Sequence, residues 1–251
     1  MKTLFLTDKG KVRHHNEDSG GIYENQTGQS IAVVADGMGG HQAGDVASNM
    51  ATSFLQKKWE NIEHVQTPDE IETWLRQIVQ EMNRSIYDQA TRHKDYSGMG
   101  TTIVIAVCTY EFVTLAHIGD SRCYLMNANG FTQMTEDHSL VNELVRSGQL
   151  SKEQAHDHPR KNVVLKALGT EYDVNADVKT INWDKGDMLL LCSDGLTDKV
   201  SEPELQSFLN DAVDITTTGK QLIQLANDRG GEDNISLAIV LNGNVGEGEA
   251  S

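Results

Sequence analysis

The sequence predicts an α+β fold, a layered sandwich of antiparallel sheets covered by helices. Strand-like runs follow one another after only brief turns, as antiparallel hairpins and meanders require. Helical periodicity occurs in two pairs of segments, each flanked by groups of strands. The regular alternation of strand and helix that builds a parallel sheet is not seen.

Taken in order, Thr3–Thr7 and Ser30–Ala35 are short apolar runs that read as strands. In Asp45–Lys58 the residues Val46, Ala47, Met50, Ala51, Phe54 and Leu55 recur at helical spacing. Thr67-Pro68-Asp69-Glu70 combines a capping box with proline at the first helical position, and so starts a second helix. Its stripe of Ile71, Trp74, Leu75, Ile78, Val79, Met82, Ile86 and Ala90 needs a surface to bury against. Thr102–Thr109, Phe112–Ile118, Arg122–Asn127 and Phe131–Thr135 read as successive strands. From Ser139 to Thr170 strand signals are few, and a short helical insertion is expected. Asp187–Cys192 is the next strand. Ser201-Glu202-Pro203-Glu204 caps a helix bearing Leu205, Phe208 and Leu209, and another carries Leu222, Ile223, Leu225 and Ala226. Ile235–Leu241 is the last strand, and a frayed tail is expected from 242 to 251.

Composition narrows the function. The 251 residues, 38% of them hydrophobic, suffice for a sizeable core. Asp and Glu outnumber Lys and Arg by 37 to 21, and the resulting charge of −16 repels nucleic acid. Cys108, Cys123 and Cys192 lie in apolar runs without C-x-x-C spacing, which argues for free thiols in a reducing compartment. The opening residues are too short for a signal peptide, and no stretch is apolar enough to span a bilayer. A cytoplasmic protein is expected.

Four aspartates share one kind of position. Asp36 and Asp194 follow apolar strands, Asp120 lies in the turn between two strands, and Asp233 precedes the last one. Acids at the ends of antiparallel strands can meet at one edge, and gathering them costs free energy unless cations neutralise them. A ligand set of oxygens without His or Cys clusters points to Mg2+ or Mn2+. Aspartate at a strand end is also ordinary turn chemistry, so no single one of these positions decides the matter. Arg13, just before Asn16-Glu17-Asp18, could meet a phosphate with its guanidinium or make a surface ion pair.

The ordered set of motifs resembles the bacterial branch of the PPM/PP2C family of protein phosphatases. The matching segments are Arg13-His14-His15-Asn16-Glu17-Asp18, Val34-Ala35-Asp36-Gly37-Met38-Gly39-Gly40-His41, Gly98-Met99-Gly100-Thr101-Thr102, Ala116-His117-Ile118-Gly119-Asp120-Ser121-Arg122, Ser193-Asp194-Gly195-Leu196 and Gly231-Glu232-Asp233-Asn234. The resemblance implies one phosphatase domain over 1–241, an α-β-β-α sandwich of two mainly antiparallel sheets. It implies hydrolysis of phosphoserine and phosphothreonine by direct attack of a metal-bridging water. Asp36 would bridge two ions, the Gly37 carbonyl would ligate one, and Asp194 and Asp233 would hold the other. Glu17 and Asp18 would orient metal-bound waters, and Arg13 would bind the substrate phosphate. A third, weaker ion would sit at Asp120, Asp194 and Asp198. The chain departs from animal members, whose proposed general acid is a histidine directly after the D-G pair. Met38 stands there, and His41 is the nearest candidate; it could instead cap the following helix or touch substrate.

The insertion resembles the family's flap beside the active site. It carries Arg146, Lys152, Arg160, Lys161 and Lys166 against Glu143, Glu153 and Asp157, and either contacts phosphoprotein substrates or is a solvated face. The expected partners are phosphorylated proteins, including a cognate Ser/Thr kinase, and the expected state is a monomer. Two other readings are a regulatory phosphatase of an anti-anti-sigma-type protein and a non-catalytic metal-binding relative. Every matching metal acid is intact, which weighs against the latter. A metallohydrolase of phosphodiesters or nucleotides is disfavoured by the negative charge.

Overall fold

The computed structural model describes residues 1–39, 43–65, 67–212 and 214–243. One sheet joins β1 (Lys2–Asp8), β11 (Ile235–Leu241), β10 (Met188–Cys192), β7 (Arg122–Asn127) and β8 (Gly130–Gln133), in that spatial order. The other joins β2 (Asp18–Glu24), β3 (Ser30–Met38), β5 (Ile103–Cys108), β6 (Phe112–Ile118) and β9 (Asp177–Asn182), with the two-residue β4 (Gly100–Thr101) beside β3. Every pairing is antiparallel. Helices α1 (Ala43–Trp59) and α2 (Pro68–Arg92) cover the second sheet. The flap holds α3 (Leu140–Arg146) and α4 (Lys152–His156), the single turn α5 (Asp194–Thr197) follows β10, and α6 (Glu202–Asn210) and α7 (Ile215–Asp228) cover the first sheet.

Alternation along the strands builds the layers. On β3, Ile31 and Val33 face α1 and α2, whereas Ala32 and Val34 meet the other sheet. On β10, Met188, Leu190 and Cys192 face α6 and α7, while Leu189 and Leu191 turn inward. Three apolar layers result, one between the sheets and one under each helix pair, which is the expected α-β-β-α order. The α2 stripe buries Ile71, Leu75, Ile78, Val79, Met82 and Ile86, with Trp74 and Ala90 packed at its margin. Thr67 caps α2 in a capping box, and the Glu204 carboxylate accepts the Ser201 amide at 3.0 Å to start α6.

Three details differ from the sequence expectation. Asp36 does not end β3; the strand runs on to Met38, and Asp36 pairs with Asp18 across the ladder. Strand β2 carries Gly20 and Gly21, whose poor strand propensity hides it. A side chain at Gly20 would collide with the Phe5 ring and the Val33 carbonyl, so packing between the sheets demands the glycine. Strand β9 is an edge strand that pairs only with β6, and its half-exposed pattern lacks an apolar run. The three cysteines are buried and free, and no helix among the described residues is long and apolar enough to cross a membrane.

Candidate active site

The predicted acids do converge, at the edge where the two sheets face each other. Asp18 and Asp36 are opposite each other on β2 and β3. Asp194 opens α5 directly after β10, Asp233 lies just before β11, and Asp120 turns β6 into β7. The β10–β11 ladder brings Asp194 and Asp233 side by side. Gly195 makes that approach possible, because a Cβ there would strike the Asn234 carbonyl. Gly37 is equally confined, lying between the carbonyls of Gly44 and Glu17.

Electrostatics show what the cluster needs. Burial, then repulsion from neighbouring aspartates, pushes Asp36 well above the usual carboxylate range. Burial raises Asp18 to about 7 despite hydrogen bonds from Ser193 and Ser236. Asp120 rises to about 7 and Asp194 to about 6, again from burial first and like charge second. Glu17 also moves upward on burial, with Arg13 opposing the shift. Oxygens Asp18 Oδ1 and Asp194 Oδ1 are buried without a hydrogen-bond partner. Orphaned acceptors among mutually repelling carboxyls fit divalent cations bound through oxygen, which would satisfy the atoms and cancel the charge.

Supporting residues that sequence reasoning passed over hold the acids. Ser193 donates to Asp18 Oδ2 at 2.8 Å while its Oγ accepts the Ser236 amide at 3.0 Å. Thr101 Oγ1 donates to the Asp36 carbonyl at 2.9 Å, and Thr102 Oγ1 accepts the Asp36 amide at 3.0 Å. Buried Asn234 accepts the Glu17 amide at 2.8 Å and donates to the carbonyls of Lys9 and His15, tying the N-terminal loop to Asp233. Asp45, on the first turn of α1, contributes another buried oxygen without a partner close to Glu17. The signal for these residues was their place beside the acids in the motifs, but their roles depend on contacts between distant segments.

Two cations from outside the sheets reach the acids. Arg13 Nη2 donates to Asp233 Oδ2 at 2.7 Å, with the guanidinium half-exposed. Lys161 of the flap donates to Asp198 Oδ2 at 2.9 Å, so this flap charge is already paired with an acid. A cavity of about 610 Å3 at the flap is lined by acids including Asp120, Asp194 and Asp198 and by the bases Arg146, Lys152 and Lys161. His41 lies outside the described residues.

Among the described residues, His117, His138 and Asp177 form a compact group whose ligand atoms lie within 4.8 Å of one another, and no triplet of the aspartates does so. The carboxylates that the resemblance groups around one ion therefore stand farther apart than its ligand sphere, and would have to close in to hold it. The histidine group fails as a cation site on orientation. Its rings stack with centroids 4.8 Å apart and planes only 11° from parallel, so their in-plane lone pairs cannot converge. His138 Nδ1 already accepts the Gly119 amide, and His117 Nε2 donates to the Glu136 carbonyl.

A sequence model described as protein phosphatase 2C matches residues 10–229. The chain belongs to the protein phosphatase 2C family. A serine/threonine phosphatase of Listeria welshimeri is 49% identical over 240 residues, 96% of this chain and 95% of that one. The crystal structure of serine/threonine phosphatase Stp1 from Staphylococcus aureus superposes with a TM-score of 0.92 at 40% identity, covering 96% of this chain and 94% of the other. The catalytic domain of the phosphatase PstP, solved with two manganese ions, gives a TM-score of 0.83 at 32% identity, over 95% and 96% of the two chains. The phosphatase is thus a metal-dependent protein-serine/threonine phosphatase, and phosphorylated proteins are its substrates.

Proposed function

We propose that residues 1–241 work as one phosphatase unit in which Asp36, the Gly37 carbonyl, Asp194 and Asp233 hold two divalent ions, Mn2+ or Mg2+. Asp120, Asp194 and Asp198 take a third, weaker ion, and Glu17 and Asp18 orient waters around the pair. The observation that carries this reading is the buried cluster of aspartates with raised pKa values and orphaned oxygens. The PstP relative, solved with two manganese ions, supports the count of core ions.

Such ions supply a water of lowered pKa and charge neutralisation for the phosphoryl group. The rest of the work falls to the chain. Thr101 and Thr102 fix the backbone of Asp36 at both its carbonyl and its amide, so the carboxylate is oriented before substrate arrives. Ser193 holds one oxygen of Asp18, while the other is buried without a partner. Arg13 stands at the rim, half-exposed beside Asp233, where its guanidinium can donate to two phosphate oxygens in a forked contact. His41 as a proton donor to the leaving alkoxide, or as a substrate contact, belongs to this proposal on sequence grounds alone.

The substrates are phosphoproteins, including a cognate bacterial Ser/Thr kinase. Three buried free cysteines support a cytoplasmic location. A monomeric state belongs to this proposal as well. Phosphate release from a phosphothreonine peptide tests the reading, measured with Mn2+, Mg2+ or EDTA for the wild type and Asp36→Asn. Metal-dependent release that the substitution abolishes is expected. A folded wild type that releases no phosphate with either metal would overturn the proposed site.

A further inference from the structure

Both roots of the flap are fastened to backbone that carries metal-site acids. At the exit, Leu168 and Thr101 exchange two backbone hydrogen bonds of 2.8 and 3.1 Å, and Thr101 holds the Asp36 carbonyl. At the entrance stands His138. Its backbone N–H donates to the Gly119 carbonyl at 2.9 Å, and its ring Nδ1 accepts the Gly119 N–H at 3.1 Å. One residue thus satisfies both backbone groups of the glycine that precedes Asp120. The His138 carbonyl accepts the Leu165 amide at 2.7 Å, which ties the entrance of the flap to its return.

The geometry around the ring is over-determined. Because Nδ1 accepts, the ring proton of the neutral form sits on Nε2, where it faces Asp177 Oδ2 at 3.4 Å. The opposite face of the ring stacks on His117, which is itself fixed by the Glu136 carbonyl. Gly119 has φ +101°, and a Cβ there would collide with Thr102, so this turn requires glycine. The turn is pinned on its far side by the 2.7 Å hydrogen bond between Ser121 and Thr102.

We propose that His138 is a positioning residue for the third-ion site, fixing Asp120 through Gly119 and coupling it to the flap. The proposal rests on the reading that Asp120 belongs to that site. His138 itself touches neither substrate nor ion. Loss of an outer hydrogen bond of this kind weakens metal binding by about 10–100-fold, and here the loss should fall on the weakest ion alone.

The acceptor can be separated from the ring. In His138→Asn, Oδ1 lies where Nδ1 stood and can still accept the Gly119 N–H; in His138→Phe, the stack survives but the acceptor is gone. Mn2+ titration of each full-length protein, followed by electron paramagnetic resonance of free Mn2+, resolves the tight ions from the weak one. Exchange of the Gly119 amide reports the hydrogen bond directly. Expected are an unchanged pair of tight ions in all proteins, a third-ion Kd raised about tenfold in His138→Phe, and substantial recovery in His138→Asn. Gly119 exchange should be fast in the Phe variant and slow in the Asn variant. His138→Ala replaces the Phe variant if the latter does not fold. A third ion bound equally by all, or one lost equally in the Asn and Phe variants, overturns the inference while leaving the three-ion reading intact. A wild type that binds only two ions at millimolar Mn2+ overturns that reading, and the inference with it.

Discussion

Removing the metal should invert the pH dependence of stability. Asp18, Asp36, Asp120 and Asp194 all have folded-state pKa values above those of the unfolded chain. Between the two values the unfolded state has released protons that the folded state retains, so stability falls as pH rises. For Asp18 the window runs from 3.8 to about 7. At ~1.36 kcal/mol per pH unit, a window of that width costs the fold roughly 4 kcal/mol above pH 7, shared among the coupled acids. In a protein of this size such a loss lowers the melting temperature by roughly 10 °C. The acids repel one another and titrate as a group, so a single broad decline is expected. Bound ions reverse it. They require deprotonated carboxylates, so their stabilisation grows with pH, reaching about 2.7 kcal/mol when free metal is a hundredfold above Kd. The assay is calorimetric melting from pH 5 to 8, in EDTA and in Mn2+. The melting temperature should fall across this range in EDTA, and Mn2+ should restore it most at the alkaline end. Asp36→Asn should melt higher than wild type in EDTA at pH 8 and respond weakly to Mn2+. A flat or rising profile in EDTA would refute the argument, because it would mean that the cluster is solvated and needs no counter-charge.

Two further outcomes follow from named contacts. Ser193→Ala removes the donor to Asp18 and the acceptor of the Ser236 amide; Mn2+ affinity measured by calorimetry should drop about 10–100-fold. Charge reversal at Arg160 and Lys161 should slow turnover of a phosphopeptide but spare a small aryl phosphate, if the flap contacts protein substrates. Equal loss on both substrates would place the effect at the acids, where Lys161 is paired with Asp198.

Much of this molecule is legible in its residues. The capping boxes at Thr67 and Ser201 and the stripe from Ile71 to Ile86 are local signals, decided by side chains within a turn or two of one another. The positions of Asp36, Asp120, Asp194 and Asp233 were also visible, because an aspartate at or near the edge of an apolar run is a local pattern. The edge strand β9 and the glycine-bearing β2 were not visible, since each exists through the strand it pairs with and not through its own propensity. The same holds for the hands that steady the site. Ser193 meets Asp18 across 175 residues of chain, and Asn234 meets Glu17 across 217. Sequence determined which residues carry charge and which segments fold locally. Tertiary structure alone decided which buried oxygens have no partner and which acids share a volume, because burial and mutual repulsion are properties of distance in space.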